Sequence, residues 1–236
     1  MNKAIYLLIW IAIFAIAMGF LESAVVVYLR AIYYPEGFAF PLRNLDPGIV
    51  RTEVIREGAT MIMLITIALM TFKQAIIRFA VFIYAFAIWD MFYYVFLYLL
   101  LKWPPAILTW DILFLIPVTW VGPVLAPVIN SVTMIFLALI IIHYKTKNEL
   151  FRISQLEWLF LFMGSAFFIL SYTQPYMRFL LARYSFSDLL QLSSSKEFLE
   201  YSGRFVPVKF DWILFSLGEV LILYPVFHMI KRMKPI

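Results

Sequence analysis

The chain has 236 residues, 64% of them hydrophobic and only 14% charged, with a mean hydropathy of +0.92. A soluble domain must clothe its exterior in charge, so this composition excludes one and calls for a surface that meets lipid. Cysteine is absent, which excludes disulfides, thiolate metal sites, iron–sulfur clusters and a cysteine nucleophile, and the net charge of +5 sits in short loops, where membrane topology explains it better than a nucleic-acid groove.

The first apolar run extends from Ala4 to Leu29 and ends at Arg30. Its start resembles a signal peptide, with Lys3 in front and Ala15-Ile16-Ala17 as a cleavage-like site. The run continues past that point to Val27, so it reads as a retained first span. Tyr34-Pro35-Glu36-Gly37 opens a loop rich in turn formers. Asp46-Pro47 has the pattern of an N-cap followed by proline at the first helical position, so a helix is expected from there. It carries Glu53, Arg56 and Glu57 into the apolar stretch Gly58–Phe72. Those 15 residues rise about 22 Å, short of the roughly 30 Å hydrocarbon core, so Arg56 and Glu57 are expected below the headgroups, against protein.

A third span lies between Arg78 and Lys102, with Asp90 near its middle, and Pro104-Pro105 ends it. The segment Leu108–Pro117 is apolar but too short to cross, which predicts an interfacial or re-entrant piece. A fourth span is expected from Thr119 to His143, kinked or interrupted by Pro123 and Pro127. A fifth runs from Glu157 to Gln174 and stops at Pro175. Within the polar stretch 176–209, Ser185 with Asp188 and Ser194 with Glu197 have capping-box spacing, predicting two short surface helices, the second closed by Gly203. The last span runs from Asp211 to Ile230. The expected fold is therefore all-α: a single integral membrane domain over residues 1–236, with spans at about 4–29, 52–72, 79–101, 119–143, 157–174 and 211–230.

Charge sets the expected orientation. Lys3, Lys73, Arg78, Lys145, Lys147, Arg152, Lys231, Arg232 and Lys234 collect on one side against only Glu149 and Glu157. The positive-inside rule makes that side cytoplasmic, with both termini there, in the inner (plasma) membrane. Tryptophans 103, 110, 120 and 212 then mark the outer interface.

Charges within a bilayer cost about 2.5–3.5 kcal/mol each, so they need partners or a purpose. Glu22 lies eight residues inside Arg30 and Glu219 eight inside Asp211, each about 12 Å below the outer boundary. Asp90 and Asn130 are somewhat deeper, and Arg56 and Glu57 enter from the same face. Polar groups of five helices thus share one layer of the outer leaflet, with no matching inner layer. Glu22, Arg56, Glu57, Asp90, Asn130 and Glu219 are the candidate ligand-binding residues; none is assigned a catalytic role or a metal. Asp90 and Glu219 have no basic residue within a turn, so each is protonated, paired across helices or bound to a cation. Tyr93 and Tyr94 are the nearest neutral partners for Asp90, and Glu22, between Gly19 and Ser23, also fits a role as interhelical glue.

Three readings follow. One is an outward-facing pocket for a cation, proton or polar head group, in a protein acting alone or beside other membrane subunits. The second is an intramembrane enzyme with a buried carboxylic acid as general acid on a lipid-like substrate. The third is a structural anchor. Oxygen ligands suit hard cations or protons rather than copper or haem, so no cofactor is expected. His143 and His228 fall at the cytoplasmic ends of their spans, where an interfacial role outweighs haem ligation. The partner that the chain itself demands is the lipid bilayer, and no nucleic acid is expected.

The stretches Glu22-Ser23-Ala24-Val25-Val26-Val27-Tyr28-Leu29-Arg30, Tyr34-Pro35, Arg56-Glu57-Gly58-Ala59-Thr60, Trp89-Asp90 and Trp110-Asp111 through Trp120-Val121-Gly122-Pro123 resemble a group of bacterial multi-span inner-membrane proteins labelled hypothetical. The resemblance covers most of the first 130 residues. It implies no activity, but it implies that the acid-bearing segments form one unit.

Overall fold

A computed structural model describes residues 3–43, 45–188 and 196–233. In chain order the elements are α1 (Lys3–Tyr33), α2 (Pro47–Thr71), α3 (Ala75–Leu101), β1 (Trp110–Phe114), β2 (Trp120–Pro123), α4 (Leu125–Lys147), α5 (Gln155–Leu181), α6 (Lys196–Gly203) and α7 (Trp212–Met233). All but α6 among these helices are long and apolar enough to cross a membrane, which gives the six spans of an all-α polytopic bundle.

Helix α3 lies at the centre, against α1 on one side and α4 on another, while α5 and α7 form a second tight pair joined to the rest through α4. The close pairs are made by small residues. A side chain at Gly19 would meet the Trp89 carbonyl at 3.0 Å, so its absence lets α1 lie close to α3. Gly164 and Gly218 face each other across α5 and α7, and a Cβ at Gly164 would sit 2.9 Å from the Gly218 carbonyl. Helix α2 packs chiefly on α3, through its lower half, where Leu64 and Ala68 enter the main core. That core reaches Ala4, Ile77, Ile142, Phe151 and Met229, so the starts of α1, α3 and α5 meet the ends of α4 and α7 at one end, the basic end. The opposite end is built from the β hairpin, α6 and the aromatic clusters around them.

Helix α2 begins as its sequence requires: Asp46 accepts from the Gly48 amide at 2.7 Å, and Pro47 opens the helix. At the other boundaries the structure differs from the sequence reading. Residues 108–117 are neither re-entrant helix nor surface helix; they supply β1, paired antiparallel with β2 in the register Trp110↔Pro123, Asp111↔Gly122 and Ile112↔Val121. The fourth span accordingly starts at Leu125 rather than Thr119. Pro123 ends a strand and Pro127 falls in the first turn of α4, where a missing N–H costs nothing, so neither interrupts a span. Pro175 does not end α5, which continues to Leu181. Gly122 has a packing role: a Cβ there would meet the Tyr172 ring at 3.0 Å, so glycine lets β2 lie flat on α5.

The capping box at Ser185 is formed. Its amide and hydroxyl donate to Asp188 at 2.9 and 2.7 Å and hold that carboxyl below the usual carboxylate range. Ser194 lies outside the described residues; Glu197 falls in α6, which closes at Gly203. The four tryptophans all lie at the hairpin end, packed inward rather than as an open belt: Trp103 is buried, Trp120 stacks on Tyr172, and Trp110 and Trp212 meet Phe210 edge-on.

Candidate functional site

A cavity of about 820 Å³ opens at the hairpin end. Its walls come from α1, the upper half of α2, α3, β1 with the loop beyond it, the end of α5, and α6. Its lining mixes apolar side chains, Val50, Val54, Leu113, Met177 and Phe198 among them, with charged ones. Glu22, Arg56, Glu57 and Asp90 line this one space. Asn130 and Glu219 do not.

The three-residue and four-residue spacing of Glu53, Arg56, Glu57 and Thr60 places them on one face of α2, and Glu53, Glu57 and Thr60 are buried. Arg56 is the hub. Its Nε and Nη2 both donate to Glu53 Oε2, at 2.9 and 2.8 Å, while Nη1 pairs with Glu22 Oε1 across to α1. Glu22 is therefore committed to a charge. The glue between α1 and α3 is its neighbour Ser23, whose hydroxyl donates to the Gly19 carbonyl at 2.8 Å and the Tyr93 carbonyl at 3.0 Å.

Glu57 reaches the other way, accepting from the Leu115 amide just beyond β1 at 2.8 Å. Asp90 accepts from Ser131 on α4 at 2.7 Å, not from Tyr93 or Tyr94. Neither Glu57 nor Asp90 forms an ion pair among the described residues.

Two lining residues were not singled out from the sequence. Arg30 and Asp111 are 7% and 2% exposed and lie 3.4 Å apart, Nη2 to Oδ1. The Arg30 guanidinium sits over the Trp103 ring at 3.8 Å and the Phe38 ring at 4.6 Å from their centroids. Burial pushes the Asp111 carboxyl up to about 6, against the opposing pull of Arg30, the Ile112 amide and the hydroxyls of Tyr94 and Tyr93. A signal for both was present. The apolar run around Arg30 continues through Ala31-Ile32-Tyr33, so this arginine is inside a helix rather than at its end. Asp111 likewise interrupts an otherwise apolar segment.

Asn130 and Glu219 lie across α4 from Asp90. Asn130 donates to the Tyr172 hydroxyl at 3.0 Å, and Glu219 accepts from Thr133 at 3.0 Å. Ser131 turns toward α3 while Asn130 and Thr133, three residues apart, turn toward α5 and α7, so one helix separates two polar groupings.

The basic end is not free of buried charge either, contrary to the one-sided layer read from the sequence. Glu157, with no exposure at all, accepts from the Ser154 amide at 2.6 Å, meets His228 Nδ1 at 2.8 Å and receives Arg232 Nη2 at 3.2 Å. His143 is exposed, edge-on to Tyr144.

Six helices long and apolar enough to cross a membrane define an integral membrane protein. Compared with protein-family models, curated proteins and solved structures, the chain has no match.

Proposed function

We propose that this is an inner (plasma) membrane protein, both termini cytoplasmic, whose outward-facing cavity binds the polar or cationic head of a small amphiphile. The resemblance to bacterial multi-span inner-membrane proteins agrees with that placement. The observation that carries the reading is that Glu57 and Asp90, which form no ion pair among the described residues, share one cavity with many apolar side chains. Carboxylates held by a single neutral donor each retain acceptor capacity for a ligand's N–H groups. The apolar side chains of the lining remove a hydrocarbon chain from water. Among the described residues no three His, Asp or Glu side chains are grouped to hold a metal ion, which favours an organic head over a bare divalent cation. The protein works alone or as a subunit of a larger membrane complex on the same site.

The test is binding of dodecylamine to the detergent-solubilised full chain, followed by native mass spectrometry. Glu57→Gln and Asp90→Asn each remove one charge while keeping shape. Each is expected to weaken binding about tenfold to a hundredfold, the worth of a charge-assisted hydrogen bond. Unchanged affinity in both would return these carboxylates to a structural role and the protein to the anchor reading.

A further inference from the structure

The buried polarity that lines the cavity is not acidic alone. Arg30 and Asp111 are both more than nine-tenths buried, yet among the described residues Nη1 of Arg30 has no hydrogen-bond partner. The Tyr94 and Tyr93 hydroxyls approach the Asp111 carboxylate, but its Oδ2 receives no hydrogen bond of good geometry. Both residues line the cavity. The pair is joined only by the 3.4 Å contact between their other two atoms, a long hydrogen bond for opposite charges. A buried orphan donor beside a buried orphan acceptor is costly unless something arrives that accepts from one and donates to the other.

That requirement describes a zwitterion. Resting on the amphiphile-binding reading above, we propose that the cavity is a site for a zwitterionic ethanolamine phospholipid, with the phosphate on Arg30 and the ammonium on the Asp111 and Asp90 side.

The geometry orders the head group. Asp90 is one helical turn from Tyr94 on α3, about 6 Å along the axis, and Tyr93 and Tyr94 approach the Asp111 carboxylate. Asp90 and Asp111 feel one another's charge and Arg30 lies beside Asp111, so one head group can address all three. Arg56 is already neutralised by Glu22 and Glu53, which leaves Arg30 as the buried cation with donor capacity to spare.

Competing head groups fit less well. A choline nitrogen has no N–H for a carboxylate and needs aromatic faces instead. Here the faces of Trp103 and Phe38 are taken by Arg30 itself. A head with net negative charge would enter a space whose lining acids, Glu22, Glu53, Glu57, Asp90, Asp111 and Glu200, outnumber the lining arginines 30, 43 and 56. An ethanolamine phosphate adds no net charge and satisfies both orphans.

The experiment is native mass spectrometry of the full chain in detergent with dioleoyl phosphatidylethanolamine, phosphatidylcholine and phosphatidylglycerol offered separately, and with phosphoethanolamine as a water-soluble competitor. The wild-type series needs no variant. The expected result is a preference of about tenfold or more for the ethanolamine lipid over both others, the worth of one charge-assisted hydrogen bond. Arg30→Gln is expected to abolish that preference, and Asp111→Asn to reduce it, with dodecylamine binding retained in Arg30→Gln as evidence that the cavity is intact. Equal binding of phosphatidylglycerol, or of phosphatidylcholine, overturns the proposal. Displacement of the lipid by phosphoethanolamine at comparable concentration also overturns it, by assigning the site to a soluble zwitterion. Rejection of all three lipids with dodecylamine still bound sinks the zwitterion alone and leaves the carboxylate site standing. Rejection of dodecylamine as well sinks both.

Discussion

The two ends of the bundle both bury charge, and they do so in opposite ways. At the basic end Glu157 is enclosed by Ser154, His228 and Arg232, so every direction from its carboxylate is occupied. At the hairpin end six acids and three arginines line open space, and Arg30, Asp111, Glu57 and Asp90 each meet fewer partners than their chemistry allows. A closed set of charges fixes helix ends. An open one leaves room among its charges, which is the basis of the binding proposed above.

The sharpest way to break this contrast is Arg56→Met. It leaves Glu22 and Glu53 facing each other without a counter-charge, and should cost about 3–5 kcal/mol in thermal or denaturant unfolding in detergent. A cost no larger than that of a surface change would mean that the hub is solvated and the cavity is merely a wet surface.

Next comes the pH dependence of Asp111, which sits on the hairpin outside the six helices. Its carboxyl is raised from the ordinary 3.8 to about 6, so the folded chain takes up this proton before the unfolded chain does. The stability it contributes is full below about pH 4 and is lost as pH rises through about 6. That difference is on the order of 2–3 kcal/mol. Asp111→Asn should flatten this segment of the stability–pH curve relative to wild type.

Gly164→Ala drives a methyl into Ile222 and the Gly218 carbonyl. It should cost about 1–3 kcal/mol by prising α5 from α7, with the hairpin-end site unaffected in a binding assay. Glu157→Gln at the closed end should cost about 1–2 kcal/mol and leave amphiphile binding unchanged, since His228 and Arg232 are each more than a third exposed and can turn to water. Asp90→Asn should be the mildest in stability, within about 1 kcal/mol, because Ser131 can still donate to the amide oxygen. Its effect belongs to binding. If Asp90→Asn proved as destabilising as Arg56→Met, the open end would be as structural as the closed one.

The six spans were readable because long apolar runs have few alternatives in any fold, and Asp46-Pro47 marked the start of α2 with a local rule that tertiary packing did not override. The fine boundaries failed where neighbours decide. Residues 110–123 form a hairpin because β1 and β2 satisfy one another's backbone and Gly122 lets the pair lie on Tyr172. None of that is visible in hydropathy, and it moved the start of the fourth span by six residues. The convergence of Glu22, Arg56, Glu57 and Asp90 was anticipated from depth along each helix. Depth says nothing about direction around it, and that is why Asn130 and Glu219, at a similar level, turned out to lie beyond α4. Arg30 and Asp111 were passed over because a charge near a helix end or in a loop looks like ordinary punctuation until the aromatic rings around it are placed.

Helix α2 is held along its lower half by packed side chains and along its upper half by the Glu22–Arg56–Glu53 set. Methyl groups grip with a force that hardly depends on what fills the neighbouring space, but ionic contacts do not. Attraction between charges grows as the surroundings dry. A hydrocarbon tail bound as proposed would displace water from the cavity and so strengthen the clasp that holds the wall beside it. An empty, hydrated cavity would relax that clasp, so under the proposed binding the upper half of α2 would tighten around a bound amphiphile.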